Sequence, residues 1–195
     1  MNFLAHAYLS GTSPEIITGN FIGDFVKGKQ MDNFSKPIQN GIKLHREIDF
    51  YTDHHPVVLS SKQRLQKKYR HYSSVIVDMY YDHFLANSWT QWHHETLEEY
   101  SEMVYGILEE KEAELPEKFN YMLPFMRRRN WLLSYSQVEG IHSALSGMAK
   151  RTKFNSKMEL ASVDLKDNYS EFESEFQIFF PDIINFTAKF DFVKR

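Results

Sequence analysis

Apolar residues recur along this chain at intervals of three and four positions, the spacing that places side chains on one face of an α-helix. In the stretch that follows Ser35-Lys36-Pro37, the residues Ile38, Ile42 and Ile48 all fall on one face. Nowhere do several alternating apolar and polar segments follow one another, as the strands of a sheet would require. The pattern predicts an all-α fold.

Helix start signals divide the pattern into elements. Ser13-Pro14-Glu15 predicts a helix that runs toward Phe25, and Ser35-Lys36-Pro37 predicts one that runs to about Thr52. Asp53 is expected to cap the next helix, which carries Pro56 near its start. Further helices are predicted at residues 72–92, with Val75 on the apolar face, and at about 94–112, 116–129, 137–150 and 158–178. The aromatic segment 179–195 is expected to pack back on a bundle of roughly seven to nine helices.

Composition narrows the class of protein. A chain of 195 residues that is 42% hydrophobic suits a single domain, here 1–195, with 154–195 as its C-terminal helical segment. Cysteine is absent, which excludes disulfides and thiolate metal sites and fits a cytoplasmic location. No apolar run approaches the roughly 20 residues of a membrane span, so no membrane association is expected. The first apolar stretch contains His6 and lacks a basic flank, which favours a first helix over a signal peptide.

Charge is segregated although the net charge is only −3. Residues 54–77 contain no acid, and the segment from Arg127 to Lys153 contains only one, Glu139. Such blocks are either solvated faces or docking surfaces for an acidic partner. The docking candidates are Lys67, Lys68, Arg127 and Arg128. Nucleic acid is not expected as a partner, because the overall charge is negative and no nucleic-acid-binding motif is present.

Histidines and aspartates concentrate in the first half of the chain. His45 and Asp49 are four residues apart, so they share one face of a helix, and Asp78 and Asp82 do the same. His83 follows Asp82 and can flank the same pocket. Their apolar neighbours place these groups toward the interior, where a carboxylate is costly unless it is paired or bound to a cation.

Imidazole and carboxylate ligands without thiolate suit Mn²⁺, Fe²⁺, Zn²⁺ or Mg²⁺. Two interpretations of these residues are therefore open. They form a metal site, or they have structural roles, in which Asp49 pairs with Arg46 or Lys43 and His83 is an ordinary core histidine. Gly19 and Gly23 permit close approach of another helix or a ligand, which could bring Asp24 into the site. Arg46 and Arg64 could each bind a phosphate, or could be surface residues.

Five segments together resemble one family. MNFLAHAYLSG, GNFIGDFVKG, GIKLHREIDFYTDHHP, YSSVIVDMYYDHFLANSW and WLLSYSQVEGIHSALSGMAKR are similar to segments of the acyl carrier protein phosphodiesterases, in order, from residue 1 to about 153. The resemblance implies an all-helical relative of the HD-domain phosphohydrolases that uses a divalent metal, typically Mn²⁺. Its implied reaction removes 4′-phosphopantetheine from holo acyl carrier protein, an acidic protein substrate. The motif positions are Asp24, His45, Asp49, Asp53, Asp78, Asp82 and His83.

The chemistry suggests roles for these residues. Asp24, His45, Asp49, Asp82 and His83 are expected to hold the metal, and Arg46 or Arg64 to neutralise the phosphate. His54 or His55 is expected to donate the proton that the leaving serine oxygen needs. Two alternatives remain open: a nucleotide phosphohydrolase with the same metal site, and a non-catalytic helical protein that binds carrier protein or a metal.

Overall fold

The computed structural model describes residues 1–194, which form helices and contain no strand. The predicted all-α fold is therefore confirmed, and eight of its eleven α-helices have eight residues or more. The α-helices are α1 Phe3–Leu9, α2 Pro14–Phe21, α3 Lys36–His54, α4 Pro56–Tyr69, α5 Ser73–Asn87, α6 Leu97–Glu110, α7 Glu117–Arg129, α8 Trp131–Ser134, α9 Val138–Ala149, α10 Ala161–Asp167 and α11 Tyr169–Thr187. Short 3₁₀ turns lie at Gly23–Phe25, Gly28–Asn33, Arg70–Tyr72, Trp89–Gln91, Glu112–Glu114 and Met158–Leu160.

The predicted helix starts are confirmed at α2 and α3. The Ser13 side chain accepts a hydrogen bond from the backbone N–H of Ile16, and proline occupies an early position in both helices. The cap predicted for α4 is wrong, because Asp53 lies in the last turn of α3 and contacts Lys62 at 2.5 Å. His55 takes the capping position instead, without a side-chain hydrogen bond.

Two predicted helices have different bounds. The helix expected at residues 72–92 ends at Asn87, and a 3₁₀ turn follows it. The helix expected at 158–178 is divided into α10 and α11 by Asn168. Val75, predicted on the apolar face of α5, is 38% exposed. No helix among residues 1–194 is long and apolar enough to cross a membrane.

The C-terminal segment packs on the body of the protein, as the aromatic residues after position 178 predicted. α11 runs through Pro181 to Thr187 and contacts α3, α4 and α5. Its buried face carries Phe172, Phe176, Phe179 and Phe180, and the ring of Phe176 lies 5.7 Å from that of Tyr81 on α5. The buried apolar residues form one cluster from Met1 to Ile183. Organisation as a single domain stays a prediction.

The crossing of α2 and α3 depends on two glycines. A methyl group at Gly19 would lie 2.1 Å from the carbonyl oxygen of Ile38, and one at Gly41 would lie 2.4 Å from that of Ile16. Both distances are far below van der Waals contact, so the backbones can approach this closely only without side chains. This approach brings the backbone carbonyl of Asn20 next to His45.

The last described residues close against the loop between α1 and α2. The backbone N–H of Thr12 donates to the carbonyl oxygen of Lys194 at 2.8 Å. The adjacent Gly11 has a φ of 72°, and a methyl group there would lie 2.0 Å from the same oxygen. Glycine is therefore required at position 11 both by backbone conformation and by space.

Candidate metal centre

Two histidines and one aspartate meet where α1 lies beside α3. On α3, His45 Nε2 lies 3.2 Å from Asp49 Oδ2, as the four-residue spacing predicted. From α1, His6 Nε2 lies 3.1 Å from Asp49 Oδ1. The two imidazoles stack with their centroids 4.0 Å apart. One ligand atom from each of the three residues falls within 4.8 Å of the others, which suits a metal ion.

Asn20 on α2 fixes both imidazole rings from behind. Its side-chain amide donates to the carbonyl oxygen of His6 and to Ser10 Oγ, both at 2.8 Å, so its oxygen is left to accept from His6 Nδ1 at 2.7 Å. Its backbone carbonyl accepts from His45 Nδ1 at 2.8 Å. Both rings are thereby held as Nδ1–H donors, and each Nε2 points toward Asp49.

Two more carboxylates approach this triad of His6, His45 and Asp49. Asp24 Oδ1 lies 3.3 Å from His45 Nε2, and the Asp24 side chain is 75% exposed. It follows Gly23, where a methyl group would lie 2.3 Å from His45 Cγ. Asp78 on α5 contacts the amino group of Met1 at 3.0 Å, and this amino group lies 3.7 Å from Asp49 Oδ1. The region therefore concentrates negative charge around two imidazoles.

Asp24 and Asp78 both line a groove of about 1050 Å³ between the start of α1, α5 and the helices α7 to α9. Most of the remaining lining is apolar, and Val75 contributes to it. A groove of this size, with a few polar groups at one place, is typical of a ligand site. Its apolar side chains include Phe3, Phe25, Met122, Trp131 and Met148.

The pKa values of the two stacked histidines are shifted in opposite directions. Burial lowers the pKa of His6 to about 4, and the charge of His45 acts in the same direction. Burial would also lower the pKa of His45, but its hydrogen bonds to Asp24 and Asp49 outweigh that effect and raise the pKa to about 9. At neutral pH, therefore, His6 is neutral and His45 carries a proton.

The pKa values of the nearby carboxyl groups also depend on the balance between burial and hydrogen bonding. Burial alone would raise the pKa of Asp49, but the hydrogen bond from the protonated His45 holds it far below its usual range. The hydrogen bond to His45 lowers the pKa of Asp24, whereas burial raises that of Asp78. The His45 proton thus lies between two ionised carboxylates, and the positively charged amino group of Met1 lies beside Asp49 as well. A divalent cation bound by both Nε2 atoms and Asp49 would replace this proton.

Comparison with known proteins identifies the family of this chain. The family model described as "Acyl carrier protein phosphodiesterase" matches residues 1–183, which include all of α1 to α10 and most of α11. This chain belongs to the acyl carrier protein phosphodiesterase family. The match extends beyond residue 153, where the motif resemblance ended, into α11.

Curated relatives that match this chain along nearly their full lengths have the same name. The Acyl carrier protein phosphodiesterase of Photorhabdus laumondii is 31% identical over 197 residues, which cover 98% of each chain. That of Pectobacterium atrosepticum is 30% identical over 93% of this chain and 94% of its own. That of Escherichia coli O6:H1 is 31% identical, with the same coverage. No solved structure matches.

The structure does not place Asp82 and His83, two of the predicted metal ligands, at the triad. Asp82 is fully buried and accepts hydrogen bonds from the backbone N–H groups of Asn2, Leu4 and Ala5, at 3.2, 2.8 and 3.3 Å. It therefore fixes the start of α1, the helix that carries His6. His83 Nδ1 contacts the carbonyl oxygen of Tyr135 at 2.8 Å, and its Nε2 contacts the Tyr169 hydroxyl at 3.0 Å.

The four other predicted catalytic residues also have contacts elsewhere. Arg46 donates to the carbonyl of Val26 at 3.2 Å, and Arg64 pairs with Glu175 at 2.6 Å. His54 contacts the carbonyl of Phe50, and His55 lies 3.3 Å from Asp182. His54 and His55 line a separate cavity beside Phe186, not the groove. The structure thus brings together Asp24, His45 and Asp49 from the predicted set.

His6 and Asn20 are the members of the site that the sequence did not assign. His6 is 3% exposed in a helix whose other buried residues are all apolar. A single histidine within such a helix is itself a signal, because a buried imidazole needs polar partners. Asn20 lies between the two glycines of Gly19-Asn20-Phe21-Ile22-Gly23, and its role depends on contacts with His6 and His45 that the sequence pattern does not contain.

Proposed function

We propose that this protein is a metal-dependent phosphodiesterase that releases 4′-phosphopantetheine from holo acyl carrier protein and leaves the apo form. The observation that carries the proposal is the triad of His6, His45 and Asp49 beside a groove. The name of the relatives indicates acyl carrier protein as the substrate. The triad suits a metal ion that would assist hydrolysis of the phosphodiester. A phosphodiester requires charge neutralisation and an activated water, and the residues at this site suit both needs.

The proposed ligands of the divalent cation are His6 Nε2, His45 Nε2 and Asp49, with Asp24 as a further carboxylate on the groove side. We favour Mn²⁺ among Mn²⁺, Fe²⁺, Mg²⁺ and Zn²⁺, since two imidazoles and carboxylate oxygens form a mixed nitrogen and oxygen set. When bound, such an ion polarises a phosphoryl oxygen and lowers the pKa of bound water. Asn20 orients both imidazoles, and Asp82 holds the helix that carries one of them.

The deciding experiment measures turnover and metal binding together. The purified protein is incubated with holo carrier protein and Mn²⁺, and mass spectrometry records loss of the phosphopantetheine mass. Asp49→Ala should abolish both this loss and Mn²⁺ binding, because the triad loses its only carboxylate. Glu47→Ala is the matched control, since Glu47 is an exposed acid on the same helix that does not line the groove. Unchanged turnover by Asp49→Ala would remove Asp49 from the proposed ligands.

The same assay separates the alternatives. A nucleotide phosphohydrolase would hydrolyse free nucleotides and leave the carrier protein intact, whereas a non-catalytic protein would bind Mn²⁺ or carrier protein without turnover. The structural likeness to HD-domain phosphohydrolases and the cytoplasmic location stay predictions.

A further inference from the structure

One wall of the groove belongs to a segment with an excess of positive charge. From Lys118 to Lys153 the chain contains seven lysines and arginines and a single acid, Glu139. Arg127 pairs with Glu102 and Glu109 on α6, and Glu139 pairs with Lys166. Six cations of this segment have no carboxylate partner within residues 1–194: Lys118, Arg128, Arg129, Lys150, Arg151 and Lys153.

The fold brings both ends of this segment to the same groove. Arg129 ends α7 and Arg151 follows α9, yet both side chains line the groove, together with Lys118 and with one acid of the same wall, Glu117. Two aromatic side chains lie among these cations on α7: Tyr121 is 77% exposed and Phe125 is 41% exposed. We call these three cations and two aromatic residues the rim. Exposed aromatics and arginines that line a cavity are the composition of protein-binding surfaces.

The rim is connected to the triad through Asp24, because the lining of the groove includes Asp24 but not His6, His45 or Asp49. Asp24 lines this groove and lies 3.3 Å from His45 Nε2. A protein bound at the rim can therefore present a flexible attached group to the triad while its own body stays outside.

The basic stretch of α4, by contrast, is largely neutralised by this chain's own acids. Lys62 contacts Asp53 at 2.5 Å, Arg64 contacts Glu175 at 2.6 Å, and Lys68 contacts Asp164 at 2.7 Å. Arg127 of the second predicted docking pair is likewise held by Glu102. Of the docking residues predicted from the sequence, Lys67 and Arg128 lack such a pair in the described chain.

We propose that the rim, formed by Lys118, Tyr121, Phe125, Arg129 and Arg151, is the docking surface for the acidic face of the protein substrate. This inference rests on the proposed function, because it assumes a protein substrate that carries its scissile group on a flexible arm. The unpaired cations attract an acidic partner and increase its rate of association. The exposed aromatics then supply apolar contact area.

The test reverses the charge of the rim. For Arg129→Glu/Arg151→Glu, kcat/KM for holo carrier protein at low salt should fall by about tenfold or more, while kcat changes little. Turnover of a small phosphodiester, bis(4-nitrophenyl) phosphate, should fall much less than turnover of carrier protein, because this substrate has no acidic protein face to dock at the rim. Lys29→Glu/Lys36→Glu reverses two exposed lysines away from the groove and is the matched control. Lys67→Glu/Lys68→Glu tests the rival surface on α4.

Binding of apo carrier protein gives a second readout that does not depend on catalysis, and its Kd should rise in parallel with the loss of kcat/KM. If Arg129→Glu/Arg151→Glu does not fold, Arg129→Gln/Arg151→Gln should give a smaller loss in the same direction. An unaltered kcat/KM and Kd in the rim variants, or a larger loss in the α4 variant, would overturn the proposal. A wild-type protein that hydrolyses the small phosphodiester but binds carrier protein without releasing its arm would instead refute the proposed function and leave the rim intact.

Discussion

At the scale of single residues, Asn20 connects the two imidazoles. Its side chain fixes the ring of His6 and its backbone carbonyl fixes that of His45. Partners that hold the second nitrogen of a metal-binding histidine set the tautomer and the orientation of the ring. We therefore propose Asn20 as a positioning residue, which would act on a bound cation through both histidines.

Replacing Asn20 with alanine should weaken Mn²⁺ binding by about 10- to 100-fold, because the His6 ring loses the acceptor that fixes its tautomer. Free Mn²⁺ measured by electron paramagnetic resonance during a titration gives the affinity directly. Thr18→Ala is the control, since Thr18 is also buried on α2 but its hydroxyl donates within the helix to Pro14. Equal affinities in wild type and Asn20→Ala would show that the asparagine only supports packing.

The raised pKa of His45 makes the stability of the metal-free protein depend on pH. The folded value is about 9 and the ordinary value is 6.5. The folded state therefore binds this proton more tightly than the unfolded state does. The resulting stabilisation is complete below pH 6.5 and is lost as the pH rises through 9, at about 1.4 kcal/mol per pKa unit.

Urea unfolding in the presence of a chelator, at pH values between 6 and 9.5, measures this effect. The difference in unfolding free energy between wild type and His45→Gln should shrink across this range, because the variant has no proton to lose at that position. A pH-independent difference would mean that His45 is not protonated beside Asp24 and Asp49.

The sequence predicted part of the site for a geometric reason. His45 and Asp49 lie on one helix, so their spacing alone determines that they meet. Asp82 and His83 also lie on one helix, but spacing does not reveal what packs against each face. In the structure, the start of α1 covers Asp82, and Tyr135 and Tyr169 contact His83. The site depends on pairs from different helices, such as His6 with Asp49, which only the tertiary fold brings together.

At the scale of elements, the crossing of α2 and α3 determines the position of Asn20 relative to His45. Gly19→Ala places a methyl group 2.1 Å from the carbonyl oxygen of Ile38, so the helices must move apart. Such overpacking costs about 1–3 kcal/mol of unfolding free energy. The same movement should weaken Mn²⁺ binding, since it withdraws the Asn20 carbonyl from His45.

Gly106 and Gly147 provide the controls for this substitution. Both lie inside helices, α6 and α9, and a methyl group at either position would meet no atom within 4 Å. Gly106→Ala and Gly147→Ala should therefore stabilise the protein by about 0.4–1 kcal/mol. Urea unfolding distinguishes the two directions, and a stabilising Gly19→Ala would contradict the close crossing.

The helices themselves were largely predictable, because apolar spacing and proline signals are local. The ends of the helices were less predictable from the sequence. Asp53 was expected to cap α4, but α3 continues to His54 and the Asp53 carboxylate contacts Lys62 on α4. The four-residue α8 has too few positions for a periodic pattern, and no prediction included it. These details depend on contacts between neighbouring elements that a local pattern does not contain.

At the scale of the whole molecule, charge is distributed unevenly. Three cations without a carboxylate partner in residues 1–194 line one side of the groove, opposite the acids of the metal centre, whereas the cations of α4 are mostly paired. Encounter with an acidic protein should therefore be sensitive to salt, since charges are screened over about 8 Å at physiological ionic strength. We expect kcat/KM for carrier protein to fall as salt increases from low to physiological levels. The value of kcat should stay nearly constant if product release does not limit turnover.

Steady-state kinetics over a series of salt concentrations provide the measurement, with bis(4-nitrophenyl) phosphate as a reference substrate that has little charge to be attracted. A parallel decrease for both substrates would assign the effect of salt to the catalytic centre instead of the encounter.

The closure of the Thr12 loop by Lys194 also has a consequence for biosynthesis. The two residues are 182 positions apart. At about 5–20 residues per second, a ribosome needs roughly 10–40 s to complete the intervening chain. The triad and Asn20 are synthesised well before Lys194 fastens the loop before α2 and before α11 covers α3, α4 and α5. The nascent chain therefore exposes its aromatic core until α11 has been made, which makes it a candidate client for chaperones at the ribosome.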